Sequence, residues 1–268
     1  MFRVIDSHKL NILRDAASSY ANPDALRREG KVFFIGANLP IYSTLETMYE
    51  SYCLESSELF HVTFGDAGQF EHNLEMVRQI KRNFSIRVMG RIDHPLSASQ
   101  VERVYLAGLD LLHIPGTVFS TNSGADAGRA HRQIAFDSAA ATFTRWSVFS
   151  SVALERATQR EVRDSINELL AGGVVPLLEV AADNSVWNSE ETVNIFSFLA
   201  AEWHRHRVPL KPIMPFLRLT TPFAIAESSG FLRGVIEKLQ DRHILATSDL
   251  RRHLRTSGAE ASFESAGL

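Results

Sequence analysis

The chain has 268 residues, 45% of them apolar and 22% charged, with a formal net charge of -3. This is ordinary globular composition, long enough for one large α/β domain, and the charge balance offers no basic groove for nucleic acid and no basic face for a membrane. The single cysteine, Cys53, can form no internal disulfide. With a charged, amphipathic start and no apolar run near the ~18 residues that span a bilayer, a reduced, cytoplasmic protein is expected.

Asp6 or Ser7 caps a first helix whose residues Leu10, Ile12, Leu13, Ala16 and Ala17 recur at helical spacing before the Asn22-Pro23 breaker. A short helix is expected through Leu26. The pattern then turns strand-like over 31–37, continuous in Val, Phe and Ile, as for a strand buried on both faces of a parallel sheet. Further strands are expected over 59–64, 85–92, 110–114, 147–154 and 174–180, with a seventh over 210–216. Helices are expected over 69–82, from Ser97 or Ser99 to Ala107, and over 130–143, 160–170, 190–205, 222–239 and 249–254.

Six or seven βα units in series define an α/β fold with parallel strands, a (βα)6–7 partial or complete TIM-type barrel. A doubly wound nucleotide-binding sheet is the alternative, but the segment after the first strand, ANLPIYST, has no glycine-rich turn. Residues 1–30 form a helical lead-in, 31–255 the barrel, and 256–268 a small, polar tail expected to be disordered.

In such a barrel the ligand site lies beyond the carboxyl ends of the strands. Those ends carry Asn38 and Tyr42; Gly65 and Asp66; Arg91, Asp93 and His94; His113; Ser150, Ser151 and Glu155; Glu179 and Asp183; and Arg218. Strand ends face solvent in any case, so each polar group has a plain solvated or capping reading beside its functional one. Asp93, His94, His113, Glu179 and Asp183 could supply an oxygen and nitrogen set for a divalent ion, but no HxH or HExxH motif supports it, and no metal ligand is assigned. His204 and His206 read as cations near a helix C-terminus. Lys211 begins a strand instead of ending one, which disfavours Schiff-base chemistry. Cys53 has no basic neighbour in sequence and reads as a packed thiol.

The segments KLNILRDAASSY, KVFFIGANLP, LFHVTFGDAGQFEHNLEMVRQIKRN, RIDHPLSASQVERVYLAGLDLLHIPGTV and SSVALERATQREVRDSINELLAGGVVPLLEV resemble, in order, the leading helix and barrel units of the radical SAM superfamily. The likeness is to the branch of biotin synthase, the hydrogenase maturase and methylornithine synthase, and it spans roughly 10–216. It implies a possible SAM-like ligand near Gly65, Asp66, Ser150, Glu155 and Arg218, where Gly65, Asp66 and Gly68 only partly match the family's Gly-Gly-Glu turn. Asp93, His94, His113 and Glu179 are the candidate catalytic groups.

The family carries CxxxCxxC in the loop after the first barrel strand, and the three cysteine positions correspond here to Ser43, Thr47 and Glu50, between Tyr42 and Tyr49. Hydroxyls and one carboxylate are no substitute for thiolates, so no [4Fe–4S] cluster is expected. The resemblance therefore implies a cluster-less relative: an accessory or partner subunit, beside an active radical SAM protein or another biosynthetic subunit, with a small-molecule cavity. The alternative is a cluster-independent enzyme using Asp66, Arg91, Asp93, His94, His113, Glu155, Glu179 and Arg218 for acid–base or SAM-dependent polar chemistry, or a metal-dependent lyase or aldolase.

Overall fold

Alternating helical and strand-like periods in the sequence become alternating elements in space. The computed structural model describes residues 5–15, 22–116, 125–154, 157–180, 187–224, 249 and 252. Helix α1 (Ser7–Asp15) leads into strands β1 (Leu26–Glu29) and β2 (Val32–Ile35), helix α2 (Ile41–Leu54), and strand β3 (Leu59–Thr63). Then come α3 (Phe70–Asn83), β4 (Arg87–Arg91), α4 (Ala98–Leu106), β5 (Leu111–His113) and α5 (Ala125–Thr142). The series ends with β6 (Val148–Ala153), α6 (Gln159–Ala171), β7 (Val175–Glu179), α7 (Ser189–Arg205) and α8 (Met214–Thr220).

The seven strands form one sheet in their sequence order, β1-β2-β3-β4-β5-β6-β7. The β1–β2 pair is antiparallel and every later pair parallel. Every residue of β2, β3, β4 and β5 is buried, so these strands are covered on both faces, as the continuous apolar run VFFI of β2 anticipates. One apolar cluster joins Phe33, Phe60, Val62 and Val88 to helices α2–α5. The opposite face carries Phe34, Leu59, Met89, Leu111 and Phe149, which cluster with residues of α7 and α8.

Local chemistry sets the helix starts. Asp6 accepts from the backbone N–H of His8 and Lys9 at 2.9 and 3.1 Å, fixing the start of α1. Ser97, Thr158 and Asn188 each form a reciprocal capping box, with Gln100, Glu161 and Glu191, at the starts of α4, α6 and α7.

Three sequence expectations are corrected. The short helix expected through Leu26 is strand β1, because Gly30 (φ 55°) and Lys31 turn the chain in a two-residue hairpin that lays Leu26–Glu29 along β2. The seventh strand expected over 210–216 is a 3-10 turn, Lys211–Ile213, running into α8; Pro212 and Pro215 lack the N–H a strand ladder needs and sit comfortably at helix starts. The helix expected over 222–239 does not begin at Pro222, whose carbonyl accepts from Asp6 N at 2.8 Å while Phe223 bridges to Ile5. The rest of that helix and the tail over 256–268 lie outside the described residues, whereas Asp249 and Arg252 are helical.

The sheet is strongly curved. Arg91 on β4 is in register with His113, Phe149 and Val175 on the next three strands, and Glu179 lies four residues beyond Val175. In a flat sheet these positions would lie about 14 Å apart across the strands and about 13 Å apart along them. Their side chains nevertheless meet at 2.7 Å, so the face that carries them is concave. It is called the inner face below.

Candidate functional site

Side chains alternate along a strand, so register decides which of them share the inner face. One row across it is Phe34, His61, Met89 and Leu111. The next, nearer the carboxyl ends, is Thr63, Arg91, His113, Phe149 and Val175. Beyond them on the same face are Ser151, on β6, and Glu179, at the end of β7. The result is a polar group set among aromatic and aliphatic walls. From α8, Phe216 stacks on the His61 ring, with centroids 5.2 Å apart and planes 3° from parallel.

Arg91 is held from two sides. Its Nε donates to Asp93 Oδ1 at 2.8 Å and its Nη1 to Glu179 Oε1 at 2.7 Å. Burial, with the Arg91 charge adding to it, pushes His61 down to about 3. Burial also lowers His113 well below the ordinary histidine range, with Arg91 and His61 adding to the effect. Both imidazoles are therefore neutral at ordinary pH, each keeping one N–H donor and one acceptor nitrogen.

Two of these groups have hydrogen-bonding capacity left over. Neither nitrogen of His113 nor the hydroxyl of Ser151 has a hydrogen-bond partner among the described residues, and both residues are 1% exposed. A buried polar group in that condition costs about 1–3 kcal/mol. A small polar ligand or a water at the strand ends would satisfy them.

The candidate catalytic residues divide. Asp93, His113 and Glu179 gather around Arg91, whereas His94 turns toward α3, its Nδ1 3.4 Å from the Gly65 carbonyl and its ring edge-on to Phe70 at 5.8 Å. Burial lowers the His94 pKa, opposed by Gly65, Asp66 and Asp93.

The candidate ligand-binding residues are dispersed. Gly65 adopts φ 69° in the turn after β3, and Asp66 caps the 3-10 turn Ala67–Gln69, accepting from Gly68 N at 2.8 Å and Gln69 N at 3.2 Å. A ligand amino group would have to compete with that cap. Ser150 is buried on the face of β6 opposite to Ser151. Arg218 is half-buried on α8, and its Nε has no partner among the described residues. Glu155 and Asp183 lie outside the described residues, as does the Cys53 side chain.

The segment expected to be a loop after the first barrel strand is helix α2, which starts directly after Pro40. Ser43, Thr47 and Glu50 are all exposed on it, and Thr47 Oγ1 donates to the Ser43 carbonyl at 3.0 Å. The buried stripe of α2, Thr44 and Met48 with Ile41, Leu45 and Tyr52 beside it, lies on the opposite side. Three oxygen-bearing side chains on a solvent-facing helix do not fit an iron–sulfur cluster. Among the described residues, no group of three or more His, Cys, Asp or Glu side chains is placed to hold a metal ion.

Reading strand ends alone misses His61 and Thr63. Both have the same parity as the inner-face residues of their neighbours, a pattern visible in LFHVT once the register is known.

Fold and site together define a mixed α/β protein with a mostly parallel, curved sheet and a buried polar group at its carboxyl end. Among the described residues no helix is long and apolar enough to cross a membrane. No protein-family model matches the chain, and no curated protein matches it.

Proposed function

We propose that the chain is a cluster-less, radical SAM-like protein with an open (βα) barrel of TIM type, which binds a small polar molecule at its inner face. In this reading it is an accessory or partner subunit in cofactor or natural-product biosynthesis. The observation that carries the ligand part is the unsatisfied pair His113 and Ser151, buried beside the Arg91, Asp93 and Glu179 group. Consecutive parallel strands and the concave inner face support the barrel. Hydroxyls and a carboxylate at Ser43, Thr47 and Glu50 support the absence of radical chemistry, and the partner role follows from that absence.

The test is calorimetric titration of the purified protein with SAM, S-adenosylhomocysteine, methionine and 5′-deoxyadenosine. The expected result is saturable binding of at least one of them, lost in His113→Leu and weakened in Ser151→Ala. Equal binding by both variants and the unaltered protein would overturn the assignment of the site. Anaerobic reconstitution with iron and sulfide tests the other half: a stable, stoichiometric cluster would overturn the cluster-less reading.

A second reading, a cluster-independent acid–base enzyme, is favoured by one feature. His113 is a neutral imidazole in register with an arginine, so it could accept a proton from a substrate while Arg91 orients it. Deuterium exchange from solvent into a bound ligand, abolished in His113→Gln, would support this reading over a binding role.

A further inference from the structure

The contact between Arg91 and Glu179 closes a loop across the inner face. Arg91 is on β4 and Glu179 at the end of β7, so strands β5 and β6 form the arc behind their 2.7 Å contact. His113, on β5, is in register with Arg91, and Ser151, on β6, stands two residues beyond Phe149, the register partner of His113. Both side chains belong to the inner face, so the His113 ring and the Ser151 hydroxyl border the space that the arc and the contact enclose. Both are deeply buried, and neither has a hydrogen-bond partner there among the described residues.

The charges around that space do not balance. Asp93 and Glu179 bring two negative charges against the single positive charge of Arg91, and the imidazoles of His61 and His113 are neutral. Each carboxylate spends one oxygen on the guanidinium, and neither Asp93 Oδ2 nor Glu179 Oε2 takes a hydrogen bond among the described residues. Among those residues no cation makes up the difference, since the connections that follow β2 to β7 hold no lysine or arginine. Arg87 shares the inner face but lies four residues back along β4, about 13 Å away. Arg218 adjoins Leu219, which packs near Gly30 at the amino end of the sheet. Unpaired carboxylates on exposed helices are satisfied by water. The Glu179 side chain is only 18% exposed, and an unmatched negative charge there is costly.

We infer that the ligand of this site is a small molecule carrying a protonated amine. The inference rests on the small-molecule part of the reading above and names the chemical class that the inner face takes. An ammonium brings one positive charge and three N–H donors, and the enclosure offers three acceptors: the second oxygen of Glu179, the acceptor nitrogen of His113 and the hydroxyl oxygen of Ser151. A neutral ligand would satisfy His113 and Ser151 but leave the excess charge in place. A carboxylate would add to it. Phe149, in the row between His113 and Val175, is an aromatic neighbour of the kind that cations favour. The remaining N–H of His113 calls for an acceptor close to the amine, as in an amino alcohol.

The test is ligand-observed NMR on the full chain with two matched sets of probes: ethanolamine, ethylene glycol and glycolate, and benzylamine, benzyl alcohol and benzoate. Within each set the head group changes charge at nearly constant size. The expected result is that at least one amine binds saturably, at least about tenfold tighter than its neutral and anionic counterparts. His113→Leu should abolish that binding, and Glu179→Gln should weaken it by at least about tenfold. Because Glu179 also holds Arg91, Asp93→Asn serves as a second variant: it removes the more exposed charge and should weaken binding of the amine but not of the alcohol. Tighter binding of an alcohol or a carboxylate, lost in His113→Leu, overturns the amine and leaves the small-molecule reading standing. Amine binding that ignores all three substitutions overturns this placement, and displacement of the amine by magnesium ion overturns it in favour of a metal site. No binding by any probe overturns the inference, while the calorimetric titration above decides the small-molecule reading separately.

Discussion

Glu179, at the end of β7, reaches across the concave inner face to accept from Nη1 of Arg91 on β4 at 2.7 Å. The Arg91 and Glu179 side chains are 9% and 18% exposed, so the contact sits in a low-dielectric setting and ties the far edge of the sheet to its middle. Glu179→Leu removes one of the two carboxylates that hold the Arg91 guanidinium and should destabilise the fold by about 2–4 kcal/mol. Arg91→Leu combined with Glu179→Leu should cost less than the two single changes added together, because neither charge is then stranded. Denaturant unfolding of the four proteins in this cycle measures the coupling, and strict additivity would mean that the pair does not hold the curvature.

Acid should destabilise the protein through its inner-face histidines. The folded-state pKa of His61 is lowered from 6.5 to about 3, so above pH 6.5 both states hold it neutral and it adds no pH dependence. Below pH 6.5 the unfolded chain takes up a proton that the folded chain refuses. Stability therefore falls as pH drops toward 3, by up to about 1.4 kcal/mol per pH unit from this group. His113, shifted in the same direction, adds to the loss. His61→Phe, which keeps an aromatic ring against Phe216, should flatten the pH profile of urea unfolding; an unchanged slope would show that other groups dominate it.

Arg252 ties the C-terminal part of the chain to the opposite end of the sheet. Its Nη2 donates to the Leu109 carbonyl and to Asp110 Oδ1, both at 2.7 Å, and its guanidinium lies 5.2 Å from the centre of the Tyr105 ring. Asp110 is itself deeply buried and also accepts from Val88 N at 2.8 Å and Lys81 Nζ at 3.3 Å. Arg252→Ala should cost about 2–4 kcal/mol. Arg252→Lys should recover only part, since an ammonium cannot reproduce the planar, two-acceptor contact. Thermal midpoints of the three proteins report the order, and a lysine variant equal to the parent would refute the geometric argument.

Gly36, just after β2, has no room for a side chain. A Cβ there would collide with the Pro23 carbonyl and come within 2.9 Å of Ala25 N. These are backbone atoms, and the Pro23 and Ala25 carbonyls accept from Asn38 N and Gly36 N at 2.9 and 2.8 Å. Gly36→Ala should therefore destabilise by at least about 2 kcal/mol, in line with overpacking against atoms that cannot rotate away. Chemical denaturation checks this, and a neutral substitution would show that the segment before β1 moves freely.

The buried strands and amphipathic helices were legible because each is specified by its own residues: VFFI, LFHVT and VPLLE are apolar runs of strand length, and α3 and α6 repeat at helical spacing. Strand β1 was not, since LRRE has no apolar alternation and is extended only because the Gly30-Lys31 turn presents it to β2. The α8 helix has a local sign in Pro212 and Pro215, but the apolar content of LKPIMPF favours a strand by pattern alone. The Ile41, Thr44, Leu45, Met48 and Tyr52 spacing of α2 was likewise present but masked by hydroxyl-rich neighbours. Strand-end reading found Arg91, His113, Ser151 and Glu179 individually. It could not show that they share a face with His61, or that Arg91 and Glu179 meet across 88 positions, because register and curvature are properties of the whole sheet.

Strand β1 has one more consequence. It is four residues long, and three of the four, Arg27, Arg28 and Glu29, are charged. Laid antiparallel along β2, it closes one side of a sheet whose interior strands are highly apolar and would otherwise offer a template to any extended chain. A short, charged border of this kind resists strand-to-strand aggregation. Growth of the sheet into fibres or edge-joined assemblies is thereby discouraged on that side.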